Sequence, residues 1–283
     1  MHTEKRRHVI VTGGSRGIGR AVAARFVEDG SRVLLLARCR EQLQEAAKAL
    51  SGNGPVDTRA CDVSDPTAVS SLVGCLQEDF GSRVDVLVAA AGIYGPIGLF
   101  EEADPAEWLQ LFATNVLGTM LMCKLVVPFM KMQKGGRIIT FSGGGDGPFP
   151  RFAPYAASKG AITRFTESLA EEVREYGITI NAIAPGAVNT SLLEEVIAAG
   201  ENKAGRDFYM RSLEQKALGG VSPQKAADLV MFLTSSAAGK ITGKVLSAVH
   251  DAHDVLLANA EDIAKSDIYN VRRLKPKDRG FAW

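Results

Sequence analysis

Seven short apolar runs recur along the chain: His8–Thr12, Arg32–Ala37, Val56–Cys61, Val84–Ala89, Arg137–Phe141, Ile178–Ala184 and Ile241–Ser247. Most are β-branched and nearly continuous in apolar character, the pattern of strands buried on both faces. Between them, apolar positions return every three or four residues, which predicts helices over Arg20–Asp29, Glu41–Leu50, Asp65 to about Phe80, Glu107 to about Lys131, Tyr155 to about Tyr176 and Ser222 to about Ser235. Asp65-Pro66, Asp104-Pro105 and Ser222-Pro223 read as helix caps with proline in the first turn. Ser51-Gly52-Asn53-Gly54-Pro55 and Gly177 read as stops, and Pro128 is expected to break the long fourth helix. Strands that alternate with helices predict an α/β fold, a parallel sheet with helices on both faces in a single domain over residues 1–260.

The pattern weakens after Pro185-Gly186. Residues 187–220 read as an insertion, helical around Leu192–Ala199 and charged thereafter, in the place where α/β enzymes put a mobile substrate cover. Residues 261–283 read as a basic, aromatic tail that either folds over the pocket or a neighbouring subunit, or stays unfolded.

Composition narrows the partners. With 283 residues and 46% hydrophobic content, the chain can bury one large core. A formal charge of +1 gives no reason to expect nucleic acid or an anionic membrane. The N-terminus carries neither a signal-peptide nor an anchor pattern, and no later apolar run approaches eighteen residues, so a cytoplasmic protein is expected. Cys39, Cys61, Cys75 and Cys123 show no metal or disulfide spacing, and no metal is expected.

The first strand runs into Gly13-Gly14-Ser15-Arg16-Gly17-Ile18-Gly19 and then a helix. In that arrangement backbone N–H groups and a helix N-terminus receive a pyrophosphate, and glycine is needed where a Cβ would hold the phosphates away. The second strand ends at Ala37-Arg38 with no acidic residue to hold a ribose 2′-hydroxyl. Arg38 and Arg40, with Arg16, make a cationic cup for a 2′-phosphate, so NADP(H) is preferred and NAD(H) is the other candidate; the competing reading is that Arg38 and Arg40 begin a solvated helix face. Asp62-Val63, at the end of the third strand, either accepts from an adenine amino group or begins capping the next helix, and Ala91-Gly92 after the fourth leaves room for a ring or ribose.

The candidate chemistry lies in Ser142–Lys159. Tyr155 and Lys159 are four residues apart, hence on one helical face. A free tyrosine titrates near 10. An ammonium about 4 Å away at an effective dielectric of about 20 favours phenolate by roughly 4 kcal/mol, or about three pKa units before desolvation is subtracted. Ser142 closes a strand, and a glycine- and proline-rich loop returns its hydroxyl toward the phenol. Asn115, inside an apolar helix, must find partners. It either holds a water in a proton path behind Lys159 or bonds backbone.

Taken together, Thr12–Gly19 (TGGSRGIG), Asn115, Ser142, Tyr155–Lys159 (YAASK) and Asn181–Gly186 (NAIAPG) resemble the classical short-chain dehydrogenases/reductases over residues 7–247. The resemblance implies a Rossmann-type doubly wound sheet and hydride transfer between nicotinamide and a carbonyl or alcohol carbon. By matching position it implies Tyr155 as general acid/base, Lys159 lowering its pKa and binding the nicotinamide ribose, Ser142 orienting the substrate oxygen and Asn115 completing a proton relay. It places Gly13, Ser15, Arg16, Gly17, Ile18, Gly19, Arg38, Asp62, Val63, Ala91, Gly92, Tyr155, Lys159, Pro185, Gly186, Val188 and Thr190 around the cofactor. A small-molecule carbonyl or alcohol substrate and a homotetramer or homodimer through the two long helices are implied as well. An NADPH-dependent carbonyl reductase leads; a sugar, polyol or secondary-alcohol dehydrogenase and a non-catalytic nucleotide-binding protein are the rivals. Two departures stand out: Ala89-Ala90-Ala91-Gly92 replaces an Asn-Asn-Ala-Gly pattern, which puts local rigidity in doubt, and the extended C-terminus carries His250, Asp251, His253 and Asp254. Those histidines read as packing or pocket residues, with metal binding the minor alternative.

Overall fold

A computed structural model describes residues 6–50, 52–144 and 147–282. The expectations that fall on Ser51, Gly145-Asp146, residues 1–5 and Trp283 lie outside the described residues. Strands β1 (His8–Thr12), β2 (Arg32–Ala37), β3 (Val56–Ala60), β4 (Val86–Ala89), β5 (Gly136–Phe141), β6 (Ile178–Ala184) and β7 (Val245–Ser247) form one parallel sheet in the order β3-β2-β1-β4-β5-β6-β7. The chain winds outward from β1 to β3, then returns to lay β4 on the other side of β1, so the carboxyl ends of β1 and β4 flank a topological switch point.

Alternation along each strand divides the core in two. Val9, Val11, Val33, Leu35, Val86 and Val88 face α1 (Gly17–Glu28) and α9 (Pro223–Leu233), whereas Ile10, Leu34, Leu36 and Leu87 face α3 (Pro66–Glu78) and α5 (Gly118–Met132). Both faces are apolar because helices cover both, which is why the strands read as continuous hydrophobic runs.

Three strands are shorter than the sequence predicts: β3 stops one residue early at Ala60, and β4 and β7 start late. β4 starts at Val86 because the Asp85 carboxylate is taken by the His8 N–H (2.8 Å) and by Arg83. β7 starts at Val245 because side chains interrupt the ladder before it, although Gly243 N still donates to Ile180 O and Ala182 N to Lys244 O, both at 2.8 Å. There Asn181 donates to Ile241 O (2.8 Å) and accepts from Lys244 N (3.1 Å), and Thr242 Oγ1 accepts from Ile180 N (3.1 Å).

The expected break at Pro128 does not occur. Pro128 lies inside α5 on its exposed face beside Lys124, where water can satisfy the carbonyl that loses its N–H partner. The irregularity lies earlier: α4 (Pro105–Phe112) joins α5 through a π turn, Ala113–Leu117. The result is one continuous 28-residue helix, Pro105–Met132, the one described helix whose length and composition suffice to cross a bilayer. On that count the expectation that no apolar run approaches eighteen residues is corrected; half of the helix's most apolar window is buried within the fold. Helix α6 (Ala153–Val173) runs through a short 3-10 turn to Gly177, whose φ of 69° ends it in the left-handed region.

Residues 187–220 are more helical than predicted. They form α7 (Ser191–Ala204), kinked at Gly200, and α8 (Arg206–Leu218), packed on each other over the carboxyl ends of the strands. The C-terminal segment folds neither over the cavity nor free of the body. After α10 (His253–Ala258) and α11 (Ala260–Lys265) it straps the β7 edge, where Tyr269 O accepts from Val245 N (2.9 Å). Asn270 ties this strap at three points: its Oδ1 accepts from Lys244 Nζ (2.7 Å), and its Nδ2 donates to Gly243 O (2.7 Å) and Glu167 Oε1 (3.2 Å).

Asn270→Ala leaves the buried Lys244 ammonium one partner short and frees the β7 edge. A loss of about 2 kcal/mol of unfolding free energy in urea is expected, with nicotinamide-cofactor affinity unchanged.

Candidate active site

The glycine turn after β1 packs against the backbone beyond β4. Gly13 has φ of +65°, and a Cβ there would stand 2.9 Å from Ala90 O; a Cβ on Gly19 would stand 2.4 Å from Gly13 O. Only glycine permits the turn to close and the helix to start beneath it. Arg16, the N-cap of α1, makes no side-chain capping bond, so no side chain consumes the first-turn N–H groups of that helix. A cleft of about 340 Å³ opens on this turn and brings together Gly13, Ser15, Arg16, Gly17, Ile18, Gly19, Arg38, Asp62, Val63, Ala91, Gly92 and Thr190. The glycine cradle, the uncapped helix start and the two arginines fit a dinucleotide.

Arg40 is not part of this lining; as the first residue of α2 (Arg40–Ala49) it is exposed, so the cationic cup is narrowed to Arg16 and Arg38. Asp62 lines the cleft and also caps the adjoining turn, accepting from Ser64 N (3.0 Å) and Ser64 Oγ (2.7 Å). Burial alone would raise its pKa, but those bonds and nearby Arg38 hold it below the usual carboxylate range. Pro185, Gly186 and Val188 line a second, adjoining cavity, which Thr190 and Ile18 share with the first.

The backbone that follows Ala89-Ala90 is anchored by two side chains. Thr12 Oγ1 accepts from Ala91 N (3.1 Å), which ties the end of β4 to β1. Asn115 clamps the next residues: its Oδ1 accepts from Ile93 N (2.9 Å) and its Nδ2 donates to Ile93 O (3.0 Å) and to Ser158 Oγ (3.2 Å). Ser158 Oγ in turn donates to Tyr155 O (2.7 Å), so one amide couples the loop after β4 to α6 at Tyr155. The Asn115 side chain is thereby committed to backbone and Ser158. Its own carbonyl, displaced from the α-helical ladder by the π turn, accepts from Thr119 Oγ1 (2.8 Å).

Tyr155 and Lys159 lie on one face of α6, with the lysine nitrogen 5.6 Å from the phenol ring centre. Lys159 Nζ donates to Phe141 O (2.9 Å), and both residues are buried. The phenol shift runs opposite to the direction expected from the ammonium alone. Burial, with smaller contributions from Tyr94 and Glu195, pushes the Tyr155 pKa above its usual 10, and burial lowers Lys159 to about 8. Desolvation prevails because, at the high pH where this phenol titrates, an amine of pKa about 8 has already lost its charge.

The Ser142 hydroxyl is within 3.1 Å of Thr163 Oγ1 rather than returned to the phenol, although Ser142 and Tyr155 line the same second cavity. On that loop a Cβ at Gly143 would stand 2.9 Å from the phenol oxygen; in the sequence this glycine is indistinguishable from the glycines that follow it.

The second cavity, about 680 Å³, is walled by side chains that sequence reasoning missed. Tyr94 meets Tyr155 edge-on at 4.5 Å, Phe149 stacks on the buried Phe152 at 4.4 Å, and Phe208 of α8 meets Phe149 edge-on at 5.0 Å. The available signal was the presence of aromatic residues in glycine- and proline-rich loops, but nothing in the spacing shows that residues 94, 149 and 208 converge. His250 lines this cavity, whereas His253 stacks on Phe232 at 4.9 Å. Among the described residues no group of three or more His, Cys, Asp or Glu is placed to hold a metal ion.

The short chain dehydrogenase family profile matches residues 7–200. The chain belongs to the short-chain dehydrogenase/reductase family. It is 34% identical over 242 residues to the 3-oxoacyl-acyl-carrier-protein reductase FabG of Escherichia coli K12, covering 84% of this chain and 93% of that one. A solved structure of an actinorhodin polyketide ketoreductase variant with NADPH matches with a TM-score of 0.79 and 31% identity, over 87% of this chain and 97% of that one. An NAD+-bound xylitol dehydrogenase matches with a TM-score of 0.78 and 28% identity, over 85% and 96%. As a short-chain dehydrogenase/reductase, the protein is an NAD(P)-dependent oxidoreductase with the Rossmann-type sheet described above.

The buried lysine gives a signed pH effect. Its folded pKa of about 8 lies below the ordinary 10.5, so the unfolded chain holds more protons between those values and this group makes stability rise with pH across that window. Lys159→Met should be more stable than the parent below pH 8, by up to about 3 kcal/mol, and the difference should shrink toward pH 10.5 in paired urea titrations.

Proposed function

We propose that the protein is an NADP(H)-preferring carbonyl reductase in which Tyr155 supplies the proton. The supporting observation is the state of the Tyr155 hydroxyl. It has no hydrogen-bond partner among the described residues, opens on the second cavity and is kept protonated by burial. A phenol that holds its proton until negative charge develops on a substrate oxygen suits reduction, where a donor strengthens its contact in the transition state. Ser142 needs only to turn from Thr163 to become a second donor to that oxygen. Lys159, held behind the ring by Phe141 O, is placed to share the nicotinamide ribose and the phenol, and Asn115 keeps α6 and the loop after β4 in register with them. The nicotinamide supplies the hydride.

Preference for NADP(H) rests on Arg16 and Arg38 in the cleft and on Ala37 where a ribose-binding carboxylate would stand. Polyol oxidation is the second reading, favoured by the fold match to a xylitol dehydrogenase; the aromatic wall that Tyr94, Phe149 and Phe208 present beside Tyr155 suits a ketone with an apolar body better. Assembly as a homodimer or homotetramer through the two long helices belongs to the same proposal, and Leu109, Leu117 and Met132 are exposed along the first.

Tyr155→Phe should lower kcat for ketone reduction at least about 1,000-fold while leaving NADPH affinity within twofold; surviving activity would overturn the assignment of the proton donor. Arg38→Ala should weaken NADPH binding about tenfold or more, and NADH binding little, when both are titrated by nicotinamide fluorescence. An equal effect on both would remove the basis for the cofactor preference.

A further inference from the structure

The second cavity has an asymmetric lining. Around Tyr155 it is aromatic and aliphatic: Tyr94, Phe149, Phe208 and Val196. Among the described lining residues there is no carboxylate, and the one permanently charged side chain is Arg211 of α8. Its guanidinium lies 5.8 Å from the Phe208 ring centre and makes no ion pair among the described residues. This is despite Asp207 four residues before it and Glu214 three residues after it, positions from which a helix can offer an ion pair.

The other polar lining groups of α8 are already engaged. Ser212 Oγ donates to Phe208 O (2.8 Å), and Gln215 Nε2 donates to Asn189 Oδ1 (3.0 Å). The arginine fork, five N–H groups wide on an exposed residue, is therefore the uncommitted donor that α8 offers to the cavity.

We infer that the substrate is a ketone with an apolar, ring-bearing body and an anionic group at the end remote from the reacting carbonyl, a carboxylate that Arg211 grips. This deepens the reductase reading and rests on it for the position of the reacting carbonyl. The ring body stacks in the Phe149–Phe208 wall while the carbonyl meets Tyr155. The carboxylate is drawn to a guanidinium whose charge no described protein acid neutralises, and it gains two parallel charge-assisted bonds. Because Arg211 sits on α8, the same contact draws the cover onto the substrate.

The test uses two pairs of probes, 4-acetylbenzoate and 4-(3-oxobutyl)benzoate, each against its methyl ester. Binding to the NADPH-saturated Tyr155→Phe variant is measured by calorimetry, and turnover is measured in the parent. At least one acid should bind ten or more times more tightly than its ester. Arg211→Ala should bring that ratio to within about twofold of one, and Arg211→Lys should restore part of it. Equal binding of acid and ester in both pairs, no binding of any probe, or a ratio that survives Arg211→Ala overturns the inference. Charge-selective binding without turnover in the parent would uphold the anion site and count instead against the reductase reading.

Discussion

One hydrogen bond, from Lys159 Nζ to the Phe141 carbonyl, joins the lysine beside Tyr155 to the strand end that carries Ser142. It places a lysine where water cannot reach and fixes the end of β5 to the first turns of α6. The fold can keep an amine there only because the amine gives up part of its affinity for a proton, which is the meaning of a pKa near 8. The phenol beside it responds to the same dryness by keeping its proton. Two groups expected to sharpen each other through charge are thus balanced through shared burial, and a positively charged ring brought into that dry space would shift the balance again.

Much of the fold was legible because strands buried on both faces leave little freedom in sequence. His8–Thr12, Arg32–Ala37 and Ile178–Ala184 have the predicted bounds. The cofactor cleft was legible for a related reason: close backbone approach demands glycine at Gly13 and Gly19, and no other residue type substitutes. What escaped the sequence was decided by partners far away in the chain. Asn181 holds Ile241 and Lys244 through its side chain and so shortens β7, an exchange that the apolar run 241–247 does not reveal. The direction of the Tyr155 shift required burial, which a four-residue spacing does not contain. Arg40 shares composition with Arg38 but lies on the solvated side of the helix start.

The departures from the family pattern have one logic. Where the two asparagines are replaced by alanines, Thr12 and Asn115 anchor the neighbouring backbone from below and from the side. Where the chain continues beyond β7, Asn270 and Tyr269 use the additional length to cover an open sheet edge.

The π turn at Ala113–Leu117 acts as a phase shifter within an otherwise unbroken rod. The wider turn takes up one residue more than an α-helical turn would, and at about 100° per residue a ladder straightened without losing that residue would swing every downstream side chain by that angle. Gly118, whose missing Cβ leaves room for Val63 at the cleft wall, would then be replaced at that contact by a bulkier neighbour. Straightening this turn would in that way narrow the cleft at Val63, and the irregularity therefore keeps the second half of the long helix in phase with the cleft wall it packs on.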